Sequence, residues 1–171
     1  MSNDILKKIV DSITYFQNNV IEIGILGTGG NISSNGKIQD EITVLEYGTY
    51  LEFGTSKMQP FGFIRNAINS NQDEINNKIE EITNDILSGN LTGKEASMQL
   101  GEFIRGIVVE SIVTAGRWAR PLSPNYEKSK LKKYPGRVGQ TLIREGFLER
   151  SIRYKIKRGT IDIHISDWAK I

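Results

Sequence analysis

The chain carries one histidine, His164, and no cysteine. Nucleophilic catalysis of the Ser-His-Asp or Cys-His kind needs an imidazole held beside its nucleophile. His164 falls out of step with Ile161, Ile163 and Ile165, so it is expected on the polar face of a strand, with no sequence support for a triad. Without cysteine, neither disulfides nor thiolate metal sites are available, and a metal site would rest on carboxylates alone. Asp73-Glu74 and Glu80-Glu81 read instead as solvated charges on a helix. Glu46 and Glu52 are six residues apart, a spacing that does not place both on one helical face. Paired-carboxylate hydrolysis therefore has no specific signal. Residues 27–37, GTGGNISSNGK, are Gly-rich enough to cradle phosphate but match neither the dinucleotide fingerprint nor a P-loop; a mobile connecting loop is expected there. No catalytic, cofactor-binding or metal-ligating residue is assigned, and the chain is expected not to be an enzyme.

The remaining chemistry is electrostatic. The formal net charge of +2 hides an asymmetry. Residues 117–158 hold 13 Lys/Arg against 3 Asp/Glu, a net of +10, and the rest of the chain is left at −8. In the basic region, Lys128, Lys130, Lys132, Lys133 and Arg137 are suited to neutralise phosphates, and Trp118, Tyr126 and Tyr134 to stack on bases. No helix-turn-helix, zinc-finger or RNP motif accompanies them. Direct nucleic-acid binding is thus one reading. A solvated basic face is a second, and a third makes residues 117–139 an extended basic arm that packs on a neighbouring subunit or partner. Arg117, Trp118, Arg120, Tyr126, Lys128, Lys130, Lys132, Lys133, Tyr134 and Arg137 would form that contact, their cations meeting acidic helices. The −8 on the remainder favours contact between like copies.

These residues must be positioned by a fold of α+β class: an antiparallel helical hairpin, a small antiparallel β-sheet and the basic arm. All 171 residues are read as a single domain. Residues 4–17 predict a helix from Ile5, Ile9, Ile13 and Phe16, and residues 20–26 a β-branched strand. Residues 40–53 are expected to be helical, with a strand as the alternative. Residues 46–65, EYGTYLEFGTSKMQPFGFIR, form a dense aromatic elbow, with Gly54 and Pro60 pinning its turn; it is expected to be buried. From 61 to 87, Ile64, Ile68, Ile75, Ile79, Ile82 and Ile86 make one stripe along a long helix. Thr92 and Glu95 fit a capping box opening a second helix, which should fold back on the first. Ser123-Pro124 starts a short basic helix that Pro135-Gly136 stops, and a further turn or two of helix is expected within 141–150. Residues 151–157 and 160–166 alternate as a β-hairpin. No apolar run approaches the roughly 20 residues of a membrane span, and the first residues lack a signal-peptide core, so a cytoplasmic setting without membrane contact is expected.

The run YLEFGTSKMQPFGFIRNAI, residues 50–68, resembles the signature of tail-completion or neck proteins of tailed bacteriophages. Glu52, Phe53, Gly54, Thr55, Lys57, Met58, Pro60, Phe63 and Arg65 match that motif, although Gln59-Pro60-Phe61-Gly62-Phe63 stands where the family usually has Ala-Arg-Pro-Phe. Pro121-Leu122-Ser123-Pro124, the Lys-rich helix and residues 142–152, LIREGFLERSI, are similar to a run in Mu-type virion morphogenesis proteins, with Arg144-Glu145 replacing Asp-Thr. The resemblance implies a non-enzymatic virion protein without cofactors. It implies assembly in the host cytoplasm into a homo-oligomeric ring of six-fold symmetry at the head–tail junction. The implied partners are head-completion or connector proteins on one side and tail terminator or tail-tube proteins on the other, with DNA passing through the lumen. A tail terminator at the same junction is the neighbouring alternative.

Overall fold

The structure, a computed structural model, describes residues 3–26, 31–34, 37–137, 139–143 and 146–159. Its elements in chain order are α1 (Asn3–Gln17), β1 (Asn19–Ile25), β2 (Asn31–Ser34), β3 (Lys37–Thr43), α2 (Val44–Phe53), α3 (Phe63–Ser70), α4 (Gln72–Leu87), α5 (Gly93–Val113), α6 (Ala115–Trp118), α7 (Pro124–Lys133), a 3-10 turn (Pro135–Arg137), α8 (Phe147–Ser151) and β4 (Ile152–Arg158). The class is α+β: mostly helix, with two antiparallel two-stranded ribbons, β1–β4 and β2–β3, among the described residues.

Helix α5 is the spine. Its first half contributes Ala96 and Leu100 to a core cluster with Ile82 and Ile86 of α4. Its second half contributes Ile107, Val108 and Ile112 to a larger cluster with Phe63 and Ala67 of α3, Leu51 of α2, and Leu142, Leu148 and Ile152. The α4–α5 hairpin is therefore present, with Ser88 to Leu91 turning the chain and the Thr92–Glu95 capping box opening α5. In β1–β4 the register sets Ile21 opposite Ile156, Ile23 opposite Tyr154 and Ile25 opposite Ile152, so the isoleucines of both strands and Tyr154 share one face. That face lies on α5 at Gly101, where a Cβ would sit 2.5 Å from the Tyr154 ring.

Several expectations are corrected. The stripe from 61 to 87 is two helices, broken at Asn71. The Asn71 side chain donates to the Ala67 carbonyl at 2.7 Å, offering the backbone an alternative to the helical ladder. The seven-residue gap between Ile68 and Ile75 falls at this break. Residues 31–34, expected as loop, are strand β2; Ser33 and Ser34 pair with Ile38 and Lys37, so β3 recruits a polar strand that composition alone reads as turn. Helix α2 begins only at Val44, because residues 37–43 are strand. Strand β4 is present, but its partner among the described residues is β1; residues 160–166 and His164 lie outside the described residues. Helix α1 has no buried residue: Ile13 and Phe16 pack on the α4–α5 cluster, while Ile5, Leu6 and Val10 stay exposed.

Two capping boxes make a pH prediction. Thr43–Glu46 opens α2 as Thr92–Glu95 opens α5, each threonine hydroxyl accepting from the glutamate N–H and each glutamate accepting from the threonine N–H. The Glu46 carboxyl is held below its ordinary value of 4.5 by the Thr43 backbone N–H and then its hydroxyl. Glu95 is lowered by the Thr92 hydroxyl and then its N–H. A folded pKa below the unfolded one means stability fully present above pH 4.5 and lost as pH falls through the folded value. Acid unfolding followed by circular dichroism should therefore be less steep in Glu46→Gln/Glu95→Gln than in wild type; identical acid profiles would show that the boxes contribute nothing.

Candidate functional site

The elbow between α2 and α3 is where most of the matched motif residues meet. Helix α2 stops at Gly54, whose φ of 82° and ψ of −175° suit only glycine. A tight turn follows: Thr55 N–H donates to the Met58 carbonyl at 2.7 Å and Met58 N–H returns to the Thr55 carbonyl at 3.2 Å. The Thr55 hydroxyl also accepts from the Lys57 and Met58 N–H groups. The chain then runs back along α2, and the N–H groups of Phe61 and Gly62 donate to the Leu51 carbonyl at 2.8 and 3.2 Å. That carbonyl is one of those a helix end leaves without a partner.

Helix α3 needs a cap that its own N-cap residue, Gly62, has no side chain to supply. Glu52 supplies it from ten residues earlier. One carboxylate oxygen accepts the Ile64 N–H at 2.8 Å; the other accepts the Arg65 N–H at 3.2 Å and the Arg65 Nε–H at 3.0 Å. Arg65 closes the ring by donating from Nη2 to the Glu52 carbonyl at 2.6 Å. A buried anion thus sits at a helix N-terminus with its acceptors filled, where the helix dipole favours it. The guanidinium also lies 5.6 Å from the centroid of the Phe53 ring.

The beginning of the basic segment clasps this elbow. Arg120 stacks on Phe61 with Cζ 4.4 Å from the ring centroid, and its Nη2 donates to the Gln59 carbonyl at 2.6 Å. Trp118 Nε1–H donates to the Ser111 carbonyl at 2.9 Å, and the Ser111 hydroxyl donates to the Phe63 carbonyl at 3.2 Å. Buried Lys130 donates from Nζ to the Gln140 and Thr141 carbonyls. It lines a cavity of about 250 Å³ with Ala119, Leu122, Leu131 and Gln140.

The structure thus sorts the sequence-derived candidates. Glu52, Phe53, Gly54, Thr55, Met58, Phe63 and Arg65 are brought together. Lys57 and Pro60 lie exposed on the turn. The expectation of a wholly buried elbow is corrected: Leu51 and Phe63 are buried, but Tyr50 and Phe53 are 39% and 50% exposed. A short helix packed on one side buries positions 51 and 52 and turns 50 and 53 outward. Of the interface candidates, Trp118, Arg120 and Lys130 are engaged within the chain. Arg117, Tyr126, Lys128 and Lys132 are exposed, as is Lys133, whose Nζ lies 5.4 Å from the Tyr134 ring centroid; the side chain of Arg137 lies outside the described residues. The Thr43–Glu46 box escaped the sequence reading although Thr-x-x-Glu was its signal. Ser111 carried no signal, because its role depends on α3 lying alongside α5.

Among the described residues, no group of three or more His, Cys, Asp or Glu side chains is placed to hold a metal ion, and no helix is long and apolar enough to cross a membrane. The arrangement is a mechanical one: a turn whose backbone, cap and flanking cations are locked together, with two aromatic rings displayed beside it. Comparison with protein-family models, with curated proteins and with solved structures finds no match.

Proposed function

We propose that this protein is a structural virion protein of the neck of a tailed phage, a ring-forming component of the head–tail junction. One observation carries the reading. The two stretches that resemble neck and virion morphogenesis proteins, residues 50–68 and 121–152, are far apart in sequence, yet both feed the same core. Leu51, Phe63 and Ala67 from the first pack in one cluster with Leu142, Leu148 and Ile152 from the second. Two motifs that support each other physically are expected of one inherited domain rather than two chance likenesses.

In this reading the surface of α7 is the assembly face. Lys128 and Lys132 are one helical turn apart and exposed, and α4 exposes Asp73, Glu74 and Glu80. Contact between a basic face on one copy and an acidic face on the next is heterologous, and repeated around an axis it closes into a ring. The flanking partners are the connector proteins of the head and the terminator or tube proteins of the tail.

Light scattering on the purified chain, with negative-stain microscopy, tests this. The expected result is a ring in wild type and smaller species in Lys128→Glu/Lys132→Glu, with salt dissociating the wild-type ring as screening predicts. A chain that stays monomeric alone and also fails to join isolated phage connectors would sink the proposal.

A further inference from the structure

We infer that the solvent face of the β1–β4 ribbon binds the phosphate backbone of a nucleic acid. This surface is separate from α7, and only the pairing of β1 with β4 reveals it. The register that turns the isoleucines and Tyr154 toward α5 sets Val20 opposite Lys157, Glu22 opposite Lys155 and Gly24 opposite Arg153 on the other face. Arg153, Lys155 and Lys157 are all exposed. They form a row of cations at every second residue, about 6.8 Å apart along the strand.

The charges on this face are arranged, not merely abundant. Its one acid, Glu22, reaches diagonally past Lys155 to pair with Lys157 at 2.6 Å. Lys155, in the centre, has no ionic partner among the described residues. Arg153 commits one Nη to the carbonyls of Arg150 and Ile152, at 2.5 and 3.0 Å, which fixes the guanidinium and leaves its other N–H groups for an external acceptor. The opposing residue, Gly24, is buried and has no side chain, and Arg153 itself is exposed.

The spacing selects the partner. On one strand of a B-form duplex the phosphates rise about 3.4 Å each along the helix axis, and because the strand also winds around that axis, neighbouring phosphates lie about twice as far apart through space, close to the step of the row. The exposed acids of a helix such as α4, Asp73 and Glu80, stand seven residues or about 10.5 Å apart and fall out of step with it. Among the described residues of the two strands the face carries no aromatic ring, since Tyr154 lies on the opposite side, so the strands offer no platform for stacking bases. Recognition is therefore of the backbone, blind to sequence.

Anisotropy of a short labelled duplex of arbitrary sequence, titrated with the full chain, tests the inference. Two phosphate contacts, from Arg153 and Lys155, predict a log–log salt slope of about −1.8 for wild type. Arg153→Gln/Lys155→Gln should weaken binding at least about tenfold and reduce the slope by about two. Lys128→Gln/Lys132→Gln on α7 should leave the slope unchanged. Glu22→Gln, which frees Lys157, should tighten binding, a gain that misfolding cannot imitate. No binding at low salt, loss that follows α7 instead of β4, no gain in Glu22→Gln, or polyglutamate competing as well as DNA would each overturn the inference. Light scattering on the same samples reports ring formation separately, so a failed ribbon site and a failed ring are told apart.

Discussion

Gly54→Ala is expected to destabilise the protein by about 3–5 kcal/mol, the largest effect of any single change at the elbow. Two costs combine. The backbone at Gly54, φ 82° and ψ −175°, belongs to a region that side chains essentially never occupy, a strain of about 1–3 kcal/mol. A Cβ there would also lie 2.7 Å from the Met58 carbonyl oxygen and 2.8 Å from the Pro60 nitrogen. Neither atom is free to move, because Met58 is bridged to Thr55 by two hydrogen bonds and Pro60 has a fixed φ. Gly89 is the internal control: its φ is 76°, but a Cβ there meets nothing within 4 Å, so Gly89→Ala should cost only about 1–2 kcal/mol. Urea unfolding of both variants measures the difference. Equal costs would mean that the elbow yields and is not the rigid turn described above.

Glu52→Ala should cost about 2–3 kcal/mol, and most of it should come from the helix cap and not from the ion pair. The substitution leaves the Ile64 and Arg65 N–H groups at the α3 N-terminus without acceptors. The Arg65 side chain is 58% exposed while that of Glu52 is 5% exposed, so water takes over the Arg65 charge, and solvent screening on that side holds the pair to about 1 kcal/mol. Arg65→Ala should therefore cost well under half of what Glu52→Ala costs, and Glu52→Gln, which keeps one acceptor oxygen, should fall between them. A double-mutant cycle on Glu52 and Arg65 gives the coupling directly. If Arg65→Ala proves as damaging as Glu52→Ala, the pair dominates and the cap is secondary. Because α3 carries Phe63 and Ala67 into the larger core cluster, loosening the cap should also weaken the near-ultraviolet circular dichroism of Trp118, whose indole is tied through Ser111 to the Phe63 carbonyl.

Local chemistry was legible wherever it depended on neighbours in sequence. The Thr92–Glu95 box, the Gly89 turn and the Ser123-Pro124 start of α7 follow from residues within four positions of one another, and the structure has each of them. The apolar alternation of β4 was equally plain, but the pairing with β1 was not, since period-two patterning says which face is buried and not which strand lies alongside; the expected partner at 160–166 lies outside the described residues. The break at Asn71 was missed because an isoleucine stripe with a seven-residue gap fits one helix as well as two. The burial of the elbow was overestimated because aromatic density does not say which side of a short helix meets the core.

The sequence by itself determined the α+β class, the α4–α5 hairpin, the position of the elbow and the split of charge along the chain, because all of these rest on periodicity, turn chemistry and composition. Only the tertiary structure decided what the charges do. It placed the Glu52 carboxylate on the first N–H groups of α3, engaged Trp118, Arg120 and Lys130 with carbonyls of their own chain, and aligned Arg153, Lys155 and Lys157 across from Glu22. The reason is physical: a cation or carboxylate takes whichever unsatisfied partner folding brings within hydrogen-bond reach, and many of those partners are remote in sequence, such as Gln59 for Arg120 and Glu22 for Lys157.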